Sequence, residues 1–139
     1  MVSFNRISPA EVTLASGHHL SLLCETQQGY DNLCRLLTHA HLEHERGSPR
    51  VELDALTRHA QGLIALSGCR KGEIASLVTA GDYREAESVA QRYAEVFGAS
   101  NFFIEMQHNL VYGDKRRNHA LAVLAKHLGL GIVATGLAT

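Results

Sequence analysis

The hydrophobic pattern changes period repeatedly along this chain, and that alternation narrows its fold more than any other feature. Glu11 to Leu14 and His19 to Cys24 are short apolar runs parted by Ala15, Ser16 and Gly17, which predicts two strands joined by a turn. The period then lengthens: Tyr30, Leu33, Cys34, Leu37 and Ala40 recur every three or four residues, the mark of one buried helical face, with Thr26 placed to cap it. Asp31, Arg35, Thr38 and His39 fill the opposite face, and Gly47, Ser48 and Pro49 close the segment. A short helix is expected over Glu52 to Ala60, and Leu63 to Leu66 is too brief for a helix and reads as a buried strand. Lys71 to Thr79 predicts a short helix stopped at Gly81, and Asp82 caps a stronger one whose stripe is Ala86, Val89, Ala90, Tyr93 and Phe97, ending at Gly98. Asn101 to Gln107 reads as a strand carrying Glu105 among large apolar residues. A helix with Leu121, Leu124, Ala125 and Leu128 inward stops at Gly129, and Gly131 to Thr135 is the last strand.

Strands and helices therefore alternate, and the later strands are almost wholly apolar, as expected of parallel strands covered on both faces. The expected class is α/β, either a layered sheet or part of a β/α barrel. With 139 residues, 45% of them hydrophobic, and no repeat or linker, the chain is expected to form a single domain over 1–139. A formal charge of -1 provides no clustered positive surface of the kind that holds phosphates, so composition alone does not point to nucleic acid. Cys24, Cys34 and Cys69 are odd in number and lack CxxC spacing, which argues against a disulfide framework or zinc ribbon and suits a reducing cytosol. Asn5, Arg6 and Pro9 interrupt the stretch where a signal peptide would be apolar, and no run reaches membrane-spanning length; the expected location is cytoplasmic, with no membrane partner.

Reactive groups of α/β folds cluster at the carboxyl ends of strands, and Cys69 stands just past one. It reads either as a thiolate metal ligand or as a small buried hydrophobe near a tight turn. His18 and His19 are adjacent at a strand start, so one of them faces inward and the other meets solvent. His19 reads as a ligand or as an edge histidine bonded to backbone, and Glu11 as an oxygen ligand or a solvated carboxylate. Glu105 needs a partner or a wet mouth, since burying its charge alone costs several kcal/mol on the usual desolvation argument. His39, His41 and His44 are expected at the surface: only His41 and His44 share a helix face, and no carboxylate or third histidine joins them in a metal spacing. The sequence has no G-x-S-x-G, phosphate-cradling glycine loop or dinucleotide fingerprint.

Four stretches carry a resemblance: HHLSLLCETQQGYDNLCRLLT from His18, QGLIALSGCRKGEIASLV from Gln61, GDYREAESVAQRYAEVFG from Gly81, and FFIEMQHNLVYGDKRRNHALAVLAKHLGLGIVATG from Phe102. In order and wording they resemble the PHP domain at the front of bacterial DNA polymerase III alpha subunits, and IEMQHNLVYGD is similar to the error-prone branch used in damage-tolerant synthesis. The resemblance runs from about Glu11 to Gly136 and implies a distorted β/α barrel with a metal cluster at its mouth. It implies three metal ligands here, Glu11, His19 and Cys69, a donor set compatible with zinc or with a mixed zinc or manganese cluster.

The family also has a His-x-His motif near its first strand and an Asp-x-His or Asn-x-His pair after the Val-Ala-Thr strand. Neither stands in this sequence, and Pro9 replaces the glycine usual before the Ala-Glu pair. The expectation is an internal piece of the domain, with metal held weakly or not at all and no catalytic residues of its own. DNA and the remaining polymerase domains are the partners the resemblance implies for the parent protein. An unfinished barrel would expose strand edges, so the piece is expected to self-associate. The alternative is a free-standing PHP-superfamily phosphoesterase or exonuclease.

Overall fold

The computed structural model describes residues 10–43, 50–68, 71–107 and 114–135, and its element order is the alternation expected. Strands β1 (Ala10–Thr13) and β2 (His19–Cys24) precede helix α1 (Gln27–Glu43) and the short α2 (Leu53–Arg58). Strand β3 (Leu63–Leu66) leads to α3 (Glu73–Thr79) and α4 (Tyr83–Phe97); β4 (Phe102–Gln107), α5 (Asp114–Leu128) and β5 (Gly131–Thr135) complete the order. The five strands form one sheet in sequence order. β2 pairs antiparallel with both β1 and β3, while β3, β4 and β5 run parallel. The parallel half is where helices make the crossovers, as parallel pairing requires.

Register sorts the strand residues onto two faces. Glu11 pairs with Ser21, Ser21 with Leu66, Leu66 with Phe103 and Phe103 with Gly131, so these five lie in one row. Alternate residues share a face. Leu20, Leu22, Leu63, Ala65, Phe102 and Ile104 therefore point the other way, and they join the buried residues of the helices in the main core. Leu23, Leu66 and Val133, with Ile64 and Phe103 against them, form a separate small cluster on the Glu11 face. Among the described residues no helix side chain belongs to that second cluster.

Local chemistry accounts for the helix ends. Thr26 Oγ1 accepts the Gly29 N–H at 3.1 Å, and Asp82 Oδ1 accepts that of Glu85 at 3.4 Å. After α5, Leu130 N–H donates to Ala125 O and Gly129 N–H to Lys126 O, and the paired bonds after α3 run from Asp82 to Leu77 and from Gly81 to Val78. Both are the six-to-one and five-to-two pattern that satisfies the last carbonyls of a helix. The Tyr93 hydroxyl donates to Glu73 Oε1 at 3.1 Å and ties α4 to α3. Burial, and after it the Glu73 charge, push the pKa of this phenol up.

The buried stripe of α1 departs from the sequence reading. Tyr30 is 55% exposed and Cys34 is exposed, whereas Asn32, Leu33, Leu36 and Ala40 are buried. The cause lies at Gly29. A β-carbon there would stand 1.9 Å from the Gly62 carbonyl oxygen, so α1 enters by laying bare backbone against the turn before β3, and this rotates Tyr30 outward. Asn32 follows Gly29 onto the inner face, where its Nδ2 donates to Gln61 O at 2.8 Å.

Candidate functional site

The carboxyl ends of β1 and β3 and the start of β2 meet at one end of the sheet, and two of the three expected ligands come together there. Glu11 projects from β1 and His19 opens β2, both on the face opposite the helices. His19 Nδ1 lies 3.1 Å from Glu11 Oε1. The histidine is 22% exposed and the glutamate 54%. The contact is at ion-pair distance, yet Nδ1 is shielded from solvent and makes no hydrogen bond of proper geometry. Distance and angle thus disagree, and the distance is the more informative. An imidazole nitrogen and a carboxylate oxygen converge there. Two donor atoms held about 2.0–2.1 Å from a tetrahedral zinc stand about 3.3 Å apart, so the observed separation fits a pair that a divalent cation would bridge.

The backbone of His19 is held as well. Its N–H donates to Lys71 O at 3.0 Å, and it forms a parallel bridge with Gly72. Gly68 presses from the other side: a β-carbon there would lie 2.6 Å from the His19 carbonyl oxygen. Cys69, the third expected ligand, lies outside the described residues, but its neighbours Gly68 and Lys71 both pack on His19. Among the described residues, no three His, Cys, Asp or Glu side chains converge on one point.

Continuing the strand pairings by two residues sets His19, Gly68 and Glu105 in the next row of the same face. Glu105 is buried, 7% exposed. Its N–H donates to the Ser67 hydroxyl at 2.8 Å, and Ser67 is itself buried. The sequence reading passed over Ser67. The signal was available, because a polar residue directly after an apolar parallel strand must have its hydroxyl satisfied if it is buried.

Among the described residues no other histidine side chain joins the Glu11–His19 pair in a metal-binding group. His18 is half-buried, with Nδ1 3.0 Å from Ser16 Oγ in the turn, so the two neighbours part company as alternation requires. His39 is half-buried rather than a plain surface residue, the side chain of His41 is not described, and His44 lies outside the described residues. A second histidine–carboxylate pair, His127 and Glu87 at 3.4 Å, is an exposed contact of the α4–α5 surface. A cleft of about 320 Å³ is lined by Thr79, Tyr83, Arg116 and Arg117, without His19. No helix among the described residues is long and apolar enough to cross a membrane.

The model of the PHP domain family matches residues 5–109. An error-prone DNA polymerase of Symbiobacterium thermophilum is 42% identical over 93% of this chain, which spans 13% of that protein. A DNA polymerase III subunit alpha of Treponema pallidum is 39% identical over 85% of the chain and 10% of its own length. An error-prone DNA polymerase of Mycolicibacterium paratuberculosis is 40% identical over 86% and 11%. The chain thus spans about a tenth of the length of the curated relatives it matches.

Proposed function

This chain belongs to the PHP domain family, and from that membership we propose that it is the PHP portion of an error-prone DNA polymerase of the polymerase III alpha type. In this reading the five-stranded sheet is part of a distorted β/α barrel, and the end holding Glu11 and His19 is its metal mouth. The observation that carries the reading is the 3.1 Å approach of His19 Nδ1 to Glu11 Oε1. In this reading Cys69 is the third ligand.

Zinc or manganese bound there would supply Lewis-acid polarisation of a phosphodiester and lower the pKa of a bound water. The protein's own contribution is placement. β1 and β2 hold the carboxylate and imidazole close together, and the His19 N–H bond to Lys71 O and the bridge to Gly72 fix the backbone that carries the ring. The parent protein acts on DNA in replication and damage-tolerant synthesis in the cytoplasm, with nucleotide addition carried out by residues outside this chain. Three dispersed ligands give low affinity and a loosely fixed water, so the chain alone holds metal weakly and does not cleave DNA.

The test uses the 139-residue chain with zinc or manganese, assayed on single-stranded DNA and on an activated phosphodiester. The expected rate does not exceed that of the metal alone. Cleavage well above that background, abolished by Cys69→Ala, would replace this reading with that of a free-standing metal-dependent phosphoesterase.

A further inference from the structure

Asp114 opens α5 with the charge that the amino end of a helix favours, but Lys115, Arg116 and Arg117 follow it within the same turn. Three adjacent cations at the positive end of a helix dipole work against the helix that carries them. In a chain of net charge -1 they also concentrate what the overall balance conceals. A local rule broken without a local gain points to a role outside the element.

Arg116 and Arg117 line the cavity of about 320 Å³ that lies against the last residues of α3, with Thr79 and Tyr83 beside them. A second cavity, of about 340 Å³, runs between α4 and α5. The two share Val78, Tyr83 and Ala120, so they form one cleft with two chemically different halves. One half presents guanidinium groups. The other is walled by Ala86, Val123 and Leu124, with Glu87, His119 and His127 around it. Tyr83 stands where the halves meet, and both it and Val123 are large apolar side chains left exposed. Arg116 and Ala120 lie one helical turn apart, about 6 Å along α5. Neither Glu11 nor His19 lines either half.

Guanidinium groups match the oxygens of a phosphate, and an exposed aromatic ring gives a nucleobase a face on which to stack. The short step between the halves is about the span of the sugar that joins a phosphate to its base. A carboxylate in the apolar half fits as well, because it accepts from the amino group of adenine or cytosine. Glu87 supplies it, with Oε2 3.4 Å from His127 Nδ1. An acidic protein segment would also meet the arginines, but its apolar anchor would offer Glu87 no donor.

We propose that the cleft between α3, α4 and α5 is a nucleotide-binding site, with the phosphate on Arg116 and Arg117 and the base on Tyr83, its amino edge toward Glu87. A free nucleotide and a single nucleotide within a DNA strand share this chemistry. The site is separate from the Glu11–His19 pair and does not rest on the metal reading above.

The test is fluorescence anisotropy on the 139-residue chain, with a chelator present so that bound metal plays no part. The probes are dATP labelled on its sugar and a labelled oligodeoxyadenylate of about 12 nucleotides. Arg116→Glu and Tyr83→Ala are each expected to weaken binding by about tenfold or more. Arg84→Glu makes the same charge change as Arg116→Glu at an exposed position that lines neither cavity, and should stay within about threefold of the parent. Tighter binding of the oligonucleotide identifies a DNA strand as the source, and tighter binding of dATP identifies free nucleotide; either supports the site. No saturable binding of either probe would overturn it. So would equal losses in Arg116→Glu and Arg84→Glu, or a Tyr83→Ala chain that binds like its parent, since the cleft would then attract charge and read no base.

Discussion

Gly29→Ala is expected to destabilise the protein by about 3 kcal/mol, the upper end of the usual cost of overpacking, and to lower its melting temperature by roughly 10 °C. The added methyl would meet backbone, with Gly62 O at 1.9 Å and Gly62 C at 2.6 Å, so no side chain can swing aside to admit it. The first turn of α1 would have to lift from the β3 turn, straining the Asn32 bond to Gln61 O that lies one turn further on. Gln28→Ala, at the exposed neighbouring position, is expected to change stability by less than about 0.5 kcal/mol. Urea denaturation of the two variants measures the contrast. Equal and small effects would mean that α1 does not seat its backbone against Gly62.

His19→Ala is expected to weaken zinc binding by more than about 100-fold, beyond the usual effect of losing an outer-shell partner. His18→Ala should leave it within about threefold. The two side chains are adjacent in sequence but differ in what they touch: His19 approaches Glu11 on the sheet face away from the helices, while His18 pairs with Ser16 in the turn. Competition against a chelating dye reads both affinities. A shared loss, or no loss in either, would remove His19 from the proposed mouth.

Strand positions and the Asp82-capped helix were legible because each rests on a local signal. β2, β3 and β5 fall on the apolar runs read from the sequence, and α4 buries the five residues of its predicted stripe. The face of α1 was not legible. Tyr30 and Cys34 have the right spacing and the right polarity, and only the tertiary approach of Gly29 to Gly62 shows that the helix is turned away from them. The start of α3 shifted from Lys71 to Glu73 for a similar reason, since Lys71 and Gly72 bond across to His19. At the site, spacing left Glu11 and His19 undecided between ligand and bystander, and strand register is what sets them side by side. Ser67 follows an apolar strand, which marks a hydroxyl in need of a partner, but that partner, the Glu105 N–H, is set only once β3 and β4 pair.

The most direct measurement is X-ray absorption at the zinc edge on the zinc-loaded chain carrying Cys24→Ala and Cys34→Ala. A first shell containing one sulfur at about 2.3 Å beside nitrogen or oxygen at about 2.0–2.1 Å is the predicted result, with the sulfur lost in Cys69→Ala. A shell of nitrogen and oxygen alone, unchanged when Cys69 is removed, would contradict it.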